Sequence, residues 1–130
     1  MRAYRRRRGR RRRERTRDAD GLALSSRNAY LTPEERQRAL SIPRALTAAV
    51  AAFSAGERRV SALRQTALAE LDTGGLRLDY ATFADADELV PLPEDGPSGE
   101  RLLFAVAGFM GKTRLIDNVV LGEDPAPIAS

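Results

Sequence analysis

Residues 59–81, RVSALRQTALAELDTGGLRLDYA, change their hydrophobic period in mid-stretch. Val60, Leu63, Ala67 and Leu71 recur at intervals of three and four, with Arg58, Arg64 and Glu70 outside the stripe. That spacing predicts an amphipathic helix over residues 59–71, which Gly74-Gly75 ends. Leu76, Leu78 and Tyr80 then alternate with Arg77, Asp79 and Ala81, the period of a strand with one apolar face. One helix thus passes directly into one strand.

Upstream, Thr32-Pro33-Glu34-Glu35 predicts a helix start. Thr32 caps, Pro33 occupies a first turn whose N–H groups are unpaired anyway, and Glu35 completes a capping box. Both glutamates suit the positive end of the helix dipole. Leu40, Leu46, Val50 and Phe53 continue at helical spacing toward a stop at Gly56, and Pro43 kinks this helix or divides it near Ser41. Downstream, Pro91, Pro93, Gly96, Pro97 and Gly99 mark a loop of low order. Residues 101–109 read as an apolar strand, Gly108 to Gly111 as a tight connection, and 113–121 as a third strand. The predicted fold class is α+β: two or three helices packed on a small, mostly antiparallel three-stranded sheet. Residues 122–130 read as a frayed end.

The 130 residues are 42% hydrophobic and 31% charged, enough for one compact domain. Absence of Cys and His excludes disulfides, thiol nucleophiles, imidazole bases and His-ligated metals from this stretch. No apolar run approaches the roughly 20 residues of a membrane span, so a cytoplasmic protein is expected. The net charge of +4 conceals an asymmetry. Residues 1–17 hold eleven of the 22 basic residues and one of the 18 acidic ones, leaving the remainder acidic. Residues 1–15 are expected to form a disordered Arg-rich tail, since like charges repel and bury nothing. Such a tail binds nucleic acid non-specifically, and a small basic nucleic-acid-binding protein is the alternative reading of the chain.

Residues 18–30, DADGLALSSRNAY, follow neither period. Ser25-Ser26-Arg27-Asn28 puts two hydroxyls, a guanidinium and an amide side by side, a set that suits a phosphate but equally makes a polar turn. Asp117 and Asn118 are polar residues within an apolar strand; they invite a catalytic role or pairing with loop backbone or Arg114. Asp79-Tyr80 reads as a strand end or interface, and Lys112 as a turn lysine or a phosphate contact.

The whole string RDADGLALSSRNAYLTPEER, residues 17–36, resembles the signature of the pantoate–β-alanine ligase (pantothenate synthetase) family. The resemblance continues through the alanine-rich helices and Asp79-Tyr80 to GKTRLIDN, residues 111–118, and covers about residues 16–121. It implies an ATP-dependent ligase, with Mg2+ accompanying the ATP, that adenylates pantoate, releases pyrophosphate, and lets β-alanine displace AMP to give pantothenate. It implies that Leu24, Ser25, Ser26 and Arg27 bind the ATP phosphates, with Arg27 as charge clamp, and that Thr16 occupies the position of a backbone contact to adenine. Family members are homodimers with an N-terminal nucleotide-binding domain and a smaller C-terminal domain that closes over the site. Residues 18–121 correspond to the end of the first domain and to the second. The expectation is therefore a truncated chain, without the His-x-x-His-type motif and the pantoate and β-alanine pockets, and inactive alone.

Overall fold

The computed structural model describes residues 21–22, 31–87, 92 and 100–128. Within these residues, three helices are followed by three strands: α1 (Pro33–Ala39), α2 (Ser41–Ser54), α3 (Val60–Thr73), β1 (Arg77–Asp85), β2 (Leu102–Met110) and β3 (Thr113–Leu121). The strands form one antiparallel sheet in the order β1-β2-β3, with the helices against one face, as the α+β reading expects.

The helix start forms as its residues dictate. Glu35's backbone N–H donates to Thr32 Oγ1 at 3.1 Å, and Thr32's N–H donates to Glu35 Oε1 at 3.0 Å. Thr32→Ala removes a cap whose loss costs about 1 kcal/mol, whereas Thr32→Ser retains it. Urea denaturation is expected to separate the two variants by that amount; coincident midpoints would deny the box a stabilising role.

The division foreseen around Pro43 falls at Leu40, which closes α1 and opens α2. A continuous helix would need a Pro43 N–H directed at the Ala39 carbonyl, and the proline ring would crowd that carbonyl. Restarting at Ser41 places Pro43 in a first turn, where no intrahelical donor is required. The junction seats on the end of α3: Arg38 Nε donates to the Gly74 carbonyl at 3.0 Å. The Ser41 hydroxyl, fully buried there, has no hydrogen-bond partner among the described residues. Val60, Leu63, Ala67 and Leu71, the stripe read from the sequence, are the buried residues of α3.

The sheet departs from the sequence reading in β1. A bulge between Leu78 and Tyr80 shifts the register, so Ala81 and Phe83 turn to the core. Leu78 and Tyr80, expected on the apolar face, are 42% and 37% exposed. Gly108, expected to begin a tight connection, lies inside β2, and a two-residue turn, Gly111-Lys112, joins Met110 to Thr113. A Cβ on Gly108 would stand 2.5 Å from Leu76 Cδ2, so the bare backbone admits Leu76 to the core's edge.

Across the helix-covered face, Phe83, Phe104 and Val119 form one row and Ala81, Val106 and Asp117 the next. Phe83 and Phe104 stack with centroids 4.2 Å apart. On the opposite face Tyr80, Ala107 and Ile116 form a row, and the flanking side chains bury Ala107 completely. Beyond β3, the Ile128 N–H donates to Thr47 Oγ1 at 3.1 Å. The closing segment up to that residue therefore touches α2, a contact its Pro- and Ala-rich composition does not suggest.

Candidate functional site

Thr16, Leu24, Ser25, Ser26 and Arg27, together with the Arg-rich tail, lie outside the described residues. What is described are the residues on either side of 23–30. On the upstream side Gly21 has φ +94°, and Leu22 is buried in the core. A Cβ on Gly21 would stand 2.8 Å from Ile128 Cγ1, 3.2 Å from the Pro127 carbonyl oxygen and 3.4 Å from Pro43 Cβ. The chain thus passes between the start of α2 and the closing segment just before residue 23. No periodicity in the sequence signals this meeting, because Thr47 and Ile128 are 81 positions apart.

On the downstream side Leu31 packs partly buried against the core, and Thr32 is fixed by the capping box. Glu35's second carboxylate oxygen faces the β2–β3 turn, 2.5 Å from where a Gly111 Cβ would be. Lys112, exposed at that turn, therefore sits at the tip resting beside the first turn of α1. The described residues on either side are thus set by core burial at Leu22, partial burial at Leu31 and the helix cap at Thr32.

The polar residues of the sheet resolve into structural pairs. Arg114 Nη2 and Nε donate to Asp79 Oδ2 at 2.9 and 3.1 Å. The Arg114 partner is thus Asp79 rather than Asp117 or Asn118. Asp79 belongs to the bulged interior of β1 rather than to a strand end, and the Arg114 guanidinium also lies 5.9 Å from the Tyr80 ring centre. Asp117 is buried on the helix-covered face, and its Oδ1 accepts from the Asn118 N–H at 2.7 Å. Adjacent strand residues point to opposite faces, so Asp117 and Asn118 do not converge on one substrate atom.

A further polar cluster was not singled out in the sequence. Arg101 Nε donates to Glu123 Oε1 at 2.8 Å, and its Nη1 donates to Asp87 Oδ1. Partial burial pulls the Arg101 pKa down, but hydrogen bonds and charge from Glu123 and Asp87 outweigh it and hold the guanidinium above its ordinary value. This clamp ties the end of β1 to the turn after β3. The signal for it was faint: a strand-start arginine and two acids that sit among other acids, Asp87 beside Glu88 and Glu123 beside Asp124. Among the described residues no three His, Cys, Asp or Glu side chains group as a metal site.

A model of the pantoate-beta-alanine ligase family matches residues 12–120. The pantothenate synthetase of Myxococcus xanthus is 51% identical over 108 residues, covering 83% of this chain and 37% of its own length. That of Geobacter sulfurreducens is 50% identical over 109 residues, covering 83% and 38%. The crystal structure of pantothenate synthetase from Thermus thermophilus superposes with a TM-score of 0.71 at 34% identity, over 88% of this chain and 38% of that one. The chain spans little more than a third of the length of the curated relatives it matches.

Proposed function

Given that the chain belongs to the pantoate–β-alanine ligase family, we propose that it is the C-terminal part of a pantothenate synthetase, carrying that enzyme's phosphate-binding loop and closing domain. The observation that carries this reading is the extent of the match. It runs through both odd motifs, residues 17–36 and 111–118, and takes in residues 24–27 whole.

In this proposal the pantoate carboxylate attacks the α-phosphorus of ATP, the bond to the bridging oxygen breaks, and pyrophosphate leaves. The β-alanine amine then attacks the acyl carbon of pantoyl adenylate, expels AMP and, after losing a proton, leaves the amide of pantothenate. Negative charge accumulates on the departing pyrophosphate, so donors already in place stabilise the transition state more than the ground state. Ser25 and Ser26 supply hydroxyl or backbone donors to those oxygens. The planar fork of Arg27 spans two of them, and Leu24 leads the chain into the loop. Thr16 is the counterpart of the adenine contact. Mg2+ bound with the nucleotide would neutralise phosphate charge, and no side chain of the described body is assigned to it. Leu22, buried in the core, and Thr32, in the capping box, flank the assigned residues in the sequence.

The same reading carries a cytoplasmic location and homodimeric assembly. Among the described residues no helix is long and apolar enough to cross a membrane. The pockets for pantoate and β-alanine belong to the nucleotide-binding half, so these 130 residues taken alone are inactive.

The test supplies the purified chain with Mg-ATP, pantoate and β-alanine, with and without the N-terminal half of a relative. AMP and pantothenate are expected only from the combination. Arg27→Ala in the combination should lower kcat by about 10²–10³-fold, the scale of losing one preorganised donor to a developing anion. Turnover by the chain alone would overturn the division of labour. Unchanged turnover and ATP affinity on replacing Ser25, Ser26 and Arg27 with alanine would remove the loop assignment.

A further inference from the structure

The helices cover one face of the sheet, and the middle of the other face carries no charge. Its central strand β2 presents Leu103, Ala105, Ala107 and Phe109 there. Among the described residues the exposed large apolar side chains are Leu78, Tyr80 and Ile116, all on the edge strands. Tyr80 and Ile116 flank Ala107 on this open face. Charge collects instead at the two ends of the sheet, with opposite sign. The end that holds the β2–β3 turn carries Arg77, Lys112 and Arg114 against Asp79. The far end carries Asp85, Asp87, Glu100, Glu123 and Asp124 against Arg101. An apolar middle with one positive and one negative end is complementary to its own image turned end for end. We infer that this open face is an interface between two copies of the chain, stacked face to face with antiparallel strands about a two-fold axis.

The charges choose the axis. Parallel stacking would lay the positive end of one copy over the positive end of the other, and like charges facing one another oppose association. Antiparallel stacking lays it over the acidic end instead. With the axis crossing β2 at Val106, Ala107 meets Ala105 of the second copy and Phe109 meets Leu103. The row of Tyr80 and Ile116 meets the row of Thr82 and Asn118. Small side chains at the centre let the sheets approach to about 10 Å, close enough for Tyr80 and Ile116 to reach across. Nine residues a strand at about 3.4 Å each, and three strands about 4.8 Å apart, give a face of roughly 30 by 14 Å. Two such faces would bury about 1,000 Å² in total, near the lower limit of a specific interface, so a dimer of micromolar affinity is expected. The contact needs no nucleotide and stands apart from the reaction proposed above.

The test is sedimentation equilibrium of the 130-residue chain across roughly 1–200 µM, where a monomer–dimer equilibrium is expected. Ile116→Asp puts an unpaired charge into the contact and should weaken dimerisation by at least about tenfold. Tyr80→Ser removes apolar area and should weaken it less. Both side chains are exposed in the monomer, so at dilutions where the original chain is monomeric both variants should keep its urea midpoint. The chain has no cysteine, which lets a short bismaleimide read the orientation. Lys112 and Glu100 are both exposed, at opposite ends of β2. Lys112→Cys mixed with Glu100→Cys should give cross-linked dimers, and neither variant alone should. A chain that stays monomeric throughout overturns the inference. So does association that Ile116→Asp leaves unchanged, a mixture that fails to cross-link, or cross-linking within one variant alone. If the N-terminal half of a relative displaces the second copy, and Ile116→Asp abolishes its binding, the face belongs to that domain and the inference falls.

Discussion

Gly122→Ala is expected to destabilise the domain by about 3 kcal/mol, a sum of left-handed backbone strain and overpacking. Gly122 follows β3 directly and has φ +92°. A Cβ there would stand 2.1 Å from the Glu100 carbonyl oxygen and 3.2 Å from Phe53 Cε1. The oxygen belongs to backbone leading into β2, where Leu102 pairs with Leu121, and Arg101 is clamped to Glu123 across the same turn. The carbonyl is backbone and cannot rotate away, and the Phe53 ring is buried, so the added carbon is accommodated only by moving the backbone at the end of the β2–β3 ladder. Gly56→Ala serves as the control. Its φ of +111° is also positive, but nothing lies within 4 Å of the added carbon, so only the dihedral contribution of about 1 kcal/mol remains. Urea midpoints are expected to order the variants original, Gly56→Ala, Gly122→Ala. Equal losses for the two would mean that the turn relaxes freely around Glu100.

Features governed by neighbours in sequence were legible, and those governed by distant pairing were not. The Thr32–Glu35 box and the buried stripe of α3 depend on spacings of three and four residues, which the sequence displays directly. The break before Ser41 was legible because proline acts on the carbonyl four residues back. β1 was misread for the opposite reason. Leu76, Leu78 and Tyr80 alternate cleanly, yet pairing with β2 inserts one extra residue at Asp79 and moves the buried set to Ala81 and Phe83. A slip of one residue reverses every side chain beyond it, and only the partner strand specifies it. The gain on the new register is the burial of Phe83 against Phe104, which the old register would have left to solvent.

The candidate site divides along the same line. Ser25-Ser26-Arg27 stood out through its unusual chemistry and through the long string around it. Of the contacts flanking that string, the Thr32 cap was legible and the meeting of Thr47 with Ile128 was not. Thr47 is an ordinary residue in an alanine-rich helix, and Ile128 stands in a stretch that reads as a loose end. Their contact depends on α2 and the closing segment meeting in space. The pairing of Arg114 with Asp79 was hidden similarly, because it crosses the sheet from β3 to β1 past Phe109.

Phe104→Ala tests whether the helices and sheet fold as one cooperative unit. Phe104 sits on the central strand, fully buried between Phe83 and Val119 in its row, and its ring is parallel to Phe83 within 2°. Truncation removes the stacking partner of Phe83 on the helix-covered face, and Phe83 cannot collapse inward to fill the space. Phe83 is itself held by Arg64, whose guanidinium lies over the ring and donates to the Ala81 carbonyl. The expected loss is about 3–5 kcal/mol, the range for a buried phenylalanine, against a total of about 5–15 kcal/mol for ordinary domains. Phe104→Leu, which fills most of the space, should lose distinctly less. If the helices and sheet form a self-sufficient unit, the chain unfolds in one cooperative urea transition, and the alanine variant shifts its midpoint strongly without changing its slope. A chain that needs a further domain to fold would instead lose structure gradually, and Phe104→Ala would leave that gradual loss almost unmoved. The fully buried row Phe83–Phe104–Val119, closed over by α2 and α3, favours the cooperative outcome.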